Sequence, residues 1–142
     1  MTVKVFLHFG QLPPVVCHLG DLNQVFLNLL VNAAHAIQES VKGTHTRGKI
    51  SVSTRVDGDW AEISISDSCT GIPEEARNKV FDPFFTTKGV GKGTGQGLAL
   101  ARSVIVDRHG GTLHFVTEMD KGTTFYIRLP LCGAVVREEA LA

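Results

Sequence analysis

Three polar side chains, Asn28, Asn32 and His35, are spaced so that they share one face of a predicted helix. Their separations of four and three residues place them in one row beside an apolar stripe. Asparagine is a mediocre helix former, so two of them one turn apart suggest a role beyond helix formation. Such a row is either a solvated helix face or a set of neutral oxygen ligands for a hard cation such as magnesium.

Asp67 is a second candidate, because it is in phase with Ile63 and Ile65 along a predicted strand. Its carboxylate therefore points the way the apolar side chains point, which is costly unless something binds it. Either it caps the following turn through backbone amides, or it accepts a hydrogen bond from an amino group such as that of adenine. Gly71, just beyond, would let a ligand approach the backbone closely.

A third segment, residues 81–88, carries three phenylalanines and ends at Lys88. Phenylalanines at this density are typical of core packing, and we expect some of them to be buried. Lys88 is either an ordinary surface lysine or a mobile charge that reaches a phosphate.

Alternating glycines from Gly89 to Gly97 form the fourth candidate and lead directly into a predicted helix at Leu98. The free N–H groups and the dipole of a helix N-terminus favour anions, although a glycine-rich loop can also be a simple linker. The chain has no GxxxxGK[ST] motif and no GxGxxG after a strand, so neither a P-loop nor a Rossmann site is supported. Phosphate binding would need a different kind of site.

The strands that would position these residues are predicted from the alternation of apolar and polar side chains. They cover residues 3–9, 15–18, 50–56, 63–65, 113–117 and 124–129. Asp57 and Gly58 have the turn chemistry of a hairpin between the third and fourth strands.

The helices complete a β-β-α-β-β-α-β-β order. Asp21 is predicted to cap the first helix, with Gln24 completing a capping box, and that helix should end before Gly43. A short helix is predicted at residues 74–80 and another at 98–109, ended by two glycines. This order favours a two-layer α/β sandwich with helices on one face of a mixed sheet. One domain is predicted over residues 1–132, followed by a tail at 133–142.

Composition excludes several classes of protein. The 142 residues contain 14 Lys and Arg against 14 Asp and Glu, so no basic field indicates nucleic acid or an anionic membrane. No apolar run approaches the roughly 20 residues of a spanning helix, and the start does not resemble a secretion signal. Cys17, Cys69 and Cys132 form no CxxC pair, which argues against disulfides or zinc and fits a reducing cytosol.

Taken in order, these segments resemble the boxes of the catalytic domain of sensor histidine kinases, in the superfamily that includes the Hsp90 chaperone, DNA gyrase and MutL. Residues 28–36 resemble the N box and residues 67–73 the G1 box. Residues 81–88 resemble the F box, residues 91–98 the G2 box and residues 122–125 the terminal glycine–threonine element. The resemblance covers about residues 21–130 and implies the Bergerat-type α/β sandwich.

The resemblance also implies roles for individual residues. Asn32 would ligate Mg²⁺ beside Asn28, Asp67 would receive the adenine amino group, and Thr123 would close the base pocket. Residues 91–97 would form a lid over the phosphates, and Lys88 and His35 are candidate phosphate contacts, while no catalytic group is assigned. The full set of implied ATP contacts is Asn28, Asn32, His35, Asp67, Gly71, Ile72, Phe84, Lys88, Gly91, Gly93, Thr94, Gly95, Gly97, Leu98 and Thr123.

Three positions depart from the family pattern. Cys69 replaces the usual first glycine of the G1 box, which either weakens nucleotide binding or points outward. His35 stands where many members carry lysine or arginine, so a phosphate contact there depends on its protonation. Gln96 occupies a lid position that is often leucine.

The implied reaction moves the ATP γ-phosphate to a histidine on a dimerisation domain absent from this chain, upstream of a response-regulator receiver domain. None of the six histidines is followed by Glu or Asp, so the isolated chain is expected to be monomeric and unable to phosphorylate itself. Superfamily members that hydrolyse ATP carry a glutamate where Asn28 stands, and an amide cannot act as a general base.

Two alternatives remain at this point. One is a degenerate nucleotide-binding module that signals by binding a partner, and the other is a serine-directed kinase of the anti-sigma-factor type. The expected location is cytoplasmic, with or without a membrane-anchored sensor elsewhere in the protein, and this domain itself is expected to contact neither a membrane nor nucleic acid.

Overall fold

The computed structural model describes residues 3–9, 17, 19–40, 48–68, 71–81 and 97–131. Its strands are β1 (Val3–Phe9), β2 (Gly48–Asp57), β3 (Trp60–Asp67), β4 (Thr112–Glu118) and β5 (Gly122–Pro130). Its helices are α1 (Leu19–Ser40) and α2 (Gly97–Arg102), which continues as a π-helix over Ser103–Arg108. A single 3-10 turn covers Glu74–Ala76.

The five strands form one mixed sheet in the order β1-β2-β3-β5-β4. β1 runs parallel to β2, and the other neighbours are antiparallel. The central strand is therefore β3, and its last residue is Asp67. This confirms the predicted mixed sheet.

The hairpin between β2 and β3 forms as its sequence predicts. Alternating apolar residues face the core, and the strands are joined by Gly58 and Asp59, with Gly58 at a φ of 62°. A positive φ suits a two-residue hairpin turn and carries little cost for glycine.

Both helices pack on one face of the sheet, which confirms the two-layer architecture. Val25, Leu29 and Ile37 of α1 and Ile105 of the π-helix are at most 2% exposed. They share one cluster with buried strand residues, among them Ile65 and Ile127. Burial of these side chains is the main stabilising term of the fold.

The opposite face of the sheet is polar. Arg55 Nε donates to Glu62 Oε1 at 2.8 Å, and Arg128 donates to Asp57 Oδ2 at 2.7 Å. Glu62 is 7% exposed because the long side chains of Arg55 and Arg128 cover it. The hydrogen bond and the negative charge of Glu62 raise the pKa of Arg55 above its ordinary value.

The predicted capping box was wrong. Helix α1 begins at Leu19, so Asp21 lies inside the first turn and binds the guanidinium of Arg108 instead. Gln24 Nε2 donates to Asn28 Oδ1, at 2.9 Å, one turn further along the helix. The carboxylate that the local signature assigns to a cap forms an ion pair with a residue far away in the sequence.

Other predicted boundaries shifted. The helix expected at residues 74–80 is helical only over Glu74–Ala76, and residues 77–80 form turns. The second main helix ends as predicted near Gly110, whose φ is 65°. The strand expected at residues 15–18 and the tail at 133–142 lie outside the described residues, apart from Cys17, which is not in a strand. Among the described helices, none combines the length and apolar character needed to cross a membrane.

Candidate nucleotide site

The polar row on α1 has the geometry that its spacing predicts. Asn28, Asn32 and His35 are all half-buried, on the border between the buried face of the helix and solvent. The neighbouring Leu29 and Ala33 are buried in the core, so the helix cannot rotate without exposing them. The row is therefore held in a fixed position at the edge of the core.

Asp67 ends the central strand on the core-facing side, in phase with Ile63 and Ile65 as predicted. It pairs with Ile50 of β2 on one side and with Thr123 of β5 on the other. Beyond it, Ser68 is tied to Lys49 by a backbone bond of 3.1 Å and a side-chain bond of 2.9 Å. The strand end that carries the carboxylate is thus fixed from both neighbouring strands and from the residue that follows.

Gly122 lies against the backbone of Asp67. A Cβ placed on Gly122 would overlap the carbonyl oxygen of Asp67, and the φ of Gly122 is 135°, where other residues are strained. This glycine therefore brings the start of β5 into close contact with the end of β3. Thr123, which follows it, is only 3% exposed and lies directly opposite Asp67.

Gly71 makes a similar close approach on the other side of the site. Its φ is 94°, and a Cβ there would lie 2.8 Å from the carbonyl oxygen of Glu118, at the end of β4. The next residue, Ile72, accepts a hydrogen bond from Arg77 Nε at 2.9 Å through its carbonyl oxygen. The close approach of Gly71 to Glu118 thus places the segment after β3 in contact with the end of β4.

Aromatic contacts hold Phe81 against strands β4 and β5. The Phe81 ring lies 6.0 Å from that of Phe115 and 6.3 Å from that of Phe125, between ring centroids. Phe81 packs against the core, as does Leu98 at the start of α2. Two separate described stretches, one ending at Phe81 and one beginning α2, are therefore both anchored to the core.

The structure brings four of the predicted site residues into one cluster: Asp67, Gly71, Ile72 and Thr123. Asn28, Asn32 and His35 share the face of α1, while Gly97 and Leu98 begin α2. The remaining predicted contacts and two of the unusual positions lie outside the described residues: Phe84, Lys88, Gly91, Gly93, Thr94, Gly95, Cys69 and Gln96.

Sequence reasoning missed one residue of this cluster. Thr117 of β4 is in phase with Leu113 and Phe115, and its hydroxyl contacts both Ile72 and Thr123. A polar side chain at a core-facing strand position is the signal that could have identified it, by the same argument that selected Asp67.

A family model describes most of the chain. Residues 18–133 match the histidine kinase-, DNA gyrase B- and HSP90-like ATPase family. The chain belongs to this family. The matched range contains all the site residues described above.

Within the family, the chain is similar to sensor kinases. It is 40% identical over 131 residues to the sensor kinase CckA of Brucella abortus (strain 2308), covering 87% of this chain and 14% of that protein. It is 41% identical over 120 residues to the sensor histidine kinase ZraS of Escherichia coli (strain K12), covering 84% of this chain and 24% of that protein. The chain thus corresponds to a small part of each relative.

A solved structure agrees with these sequence matches. The nucleotide-free catalytic domain of histidine kinase ThkA superposes with a TM-score of 0.75 at 30% identity, covering 91% of this chain and 80% of that one. The Bergerat-type sandwich expected from the sequence is thereby confirmed. The chain is an ATP-binding catalytic domain of the sensor histidine kinase kind.

Proposed function

We propose that this domain holds ATP and Mg²⁺ so that the γ-phosphate is transferred to a histidine on a separate dimerisation domain. The observation that carries the proposal is the cluster at the end of β3, where Asp67 lies opposite the buried Thr123 and against Gly122. A fixed carboxylate beside close backbone contacts is suited to accept a hydrogen bond from the amino group of adenine. Asp67 is the group that we assign to the base.

The row on α1 fits a magnesium ion. Amide oxygens are hard, neutral ligands, and Mg²⁺ is commonly held by few protein ligands together with substrate phosphates and water. Asn32 is assigned as the ligand, with Asn28 beside it held by the hydrogen bond from Gln24. His35, one turn further along, is a candidate phosphate contact. When bound, the cation would neutralise charge on the phosphates.

The chemistry of the domain is mainly positioning. Phosphoryl transfer needs little covalent chemistry from the protein, so alignment and electrostatic stabilisation supply most of the effect. Superfamily members that hydrolyse ATP carry a glutamate at the position of Asn28, and that glutamate takes a proton from the attacking water. An amide cannot accept that proton. We therefore expect transfer to a protein acceptor to be favoured over hydrolysis.

The acceptor and the rest of the kinase lie outside the chain in this proposal. Its relatives are named sensor kinases, and the chain spans 14% and 24% of the two described above. We infer a catalytic domain at residues 1–132 and a tail at 133–142. Its partners would be a histidine-bearing dimerisation domain and a downstream response-regulator receiver, all in the cytoplasm. Residues 91–97 would form the lid over the phosphates, and Lys88 would be a phosphate contact.

Calorimetric titration with ATP tests the cation assignment. Wild-type protein should bind ATP saturably, and removal of Mg²⁺ should weaken binding about tenfold, since one ligand set and its charge compensation are lost. In Asn32→Ala the same removal should change the affinity less than about twofold.

Asn23→Ala is the matched control, because Asn23 lies in the same helix but is exposed. It should keep the full dependence on magnesium. Equal magnesium dependence in Asn32→Ala and wild type would remove Asn32 from the site. Failure of wild type to bind ATP at millimolar concentration would instead favour a module that signals by binding a partner.

A further inference from the structure

Thr117 is a polar residue at a core-facing position near the end of β4. It lies directly opposite Thr123 of β5 and is half-buried. The two inward residues before it on the strand, Leu113 and Phe115, both pack in or against the hydrophobic core. Burying a hydroxyl at such a position costs free energy unless the hydroxyl forms hydrogen bonds.

The Thr117 hydroxyl forms three such contacts. Its oxygen accepts from the backbone N–H of Ile72 at 2.9 Å and lies 2.9 Å from Thr123 Oγ1. It also donates to the carbonyl oxygen of Gly122 at 3.3 Å. A hydroxyl has one proton and two lone pairs, so these contacts use its whole capacity when Thr123 is the donor to Thr117.

All three partners belong to the candidate nucleotide site. Ile72 follows Gly71 in the segment after β3, while Gly122 and Thr123 form the start of β5 beside Asp67. One side chain therefore connects the two segments that border the carboxylate. Without this hydroxyl, the Ile72 N–H would lose its acceptor in a partly buried place.

We propose that Thr117 is a positioning residue of the nucleotide site, which holds Gly71 and Ile72 against Gly122 and Thr123 before ATP arrives. The inference rests on the proposed ATP site. Preorganisation of this kind improves affinity because the ordering cost is not paid on binding. Thr117 acts through its neighbours and need not touch the nucleotide.

Thr117→Val is the direct test, because valine keeps the branched shape that suits a strand and removes only the hydroxyl. The dissociation constant for ATP, measured by calorimetry, should rise about tenfold. Thr117→Ser restores the hydroxyl and should return the constant to within about twofold of wild type.

Thr124→Val provides the matched control. Thr124 is the next residue of β5, and its hydroxyl pairs with Ser66 Oγ at 2.6 Å on the opposite face of the sheet. Its loss removes a hydrogen bond between β3 and β5 on the other face of the same sheet, yet ATP affinity should stay within about twofold. Equal weakening in both valine variants would mean that general destabilisation is responsible, and would overturn the proposal.

Hydrogen exchange at the Ile72 amide keeps the test decisive if Thr117→Val fails to fold. In wild type this amide should be protected, and more strongly with ATP bound. Exchange at the rate of an unstructured peptide in both states would overturn the inference. Unchanged ATP affinity in a folded Thr117→Val variant would overturn it while leaving the ATP site in place, whereas absence of binding by wild type would overturn both.

Discussion

Gly122→Ala should destabilise the domain by about 4 kcal/mol, the sum of backbone strain and overpacking against an unyielding neighbour. The added Cβ would overlap the carbonyl oxygen of Asp67, and the φ of 135° is unfavourable for alanine. Backbone atoms of two paired strands cannot give way as a flexible side chain can. Chemical denaturation followed by circular dichroism measures the change in the free energy of unfolding.

Gly58→Ala separates the two causes of this loss. Gly58 also has a positive φ, of 62°, but an added Cβ there would meet no atom within 4 Å. We expect a loss of about 1 kcal/mol, from the left-handed backbone alone. Similar losses at both glycines would show that the contact between Gly122 and Asp67 is not tight, and the arrangement of the site would need revision.

Asp67→Asn should lower ATP affinity about 30-fold while leaving the fold intact, because hydrogen bonds to a charged group contribute more than neutral ones. The two side chains have nearly the same shape, so packing beside Thr123 is preserved. An asparagine also presents an NH₂ group that would face the amino group of adenine as a second donor. Calorimetric titration with ATP and Mg²⁺ measures the change.

Asp59→Asn is the control for loss of one negative charge, since Asp59 lies exposed in the hairpin turn. Its ATP affinity should equal that of wild type. If Asp67→Asn bound ATP as well as wild type does, Asp67 would not be the acceptor of the base. Binding by both variants with unchanged thermal stability would direct attention to the backbone of residues 71 and 72.

Much of the fold follows from local sequence patterns. The hairpin of β2 and β3 is specified by alternation and by Gly58, and α1 by an apolar stripe most of whose residues are buried. Asp67 could be placed on the inward face by counting along its strand. Each of these inferences uses residues that are neighbours in the chain.

Other features depend on residues far apart in the sequence. Asp21 suits a helix cap, but the helix begins earlier and the carboxylate binds Arg108. The strand pattern of Thr117 marks it as a polar residue at a core-facing position, but does not show that Ile72 donates to it. The contact of Gly122 with Asp67 is likewise a product of strand pairing. No local pattern specifies which distant group will meet these residues.

The pairing of Asp67 with Thr123 also has a kinetic consequence. The hairpins β2–β3 and β4–β5 join strands that are close in the chain. Strands β3 and β5 are separated by α2 and β4, so their pairing must bring together distant parts of the chain. The proposed base pocket should therefore be completed late in folding, after the hairpins have formed. ATP can bind only after the pocket has formed. Stabilisation of the folded domain by ATP should therefore appear chiefly as slower unfolding rather than faster folding. In a cell, the nucleotide would prolong the life of domains that have already folded.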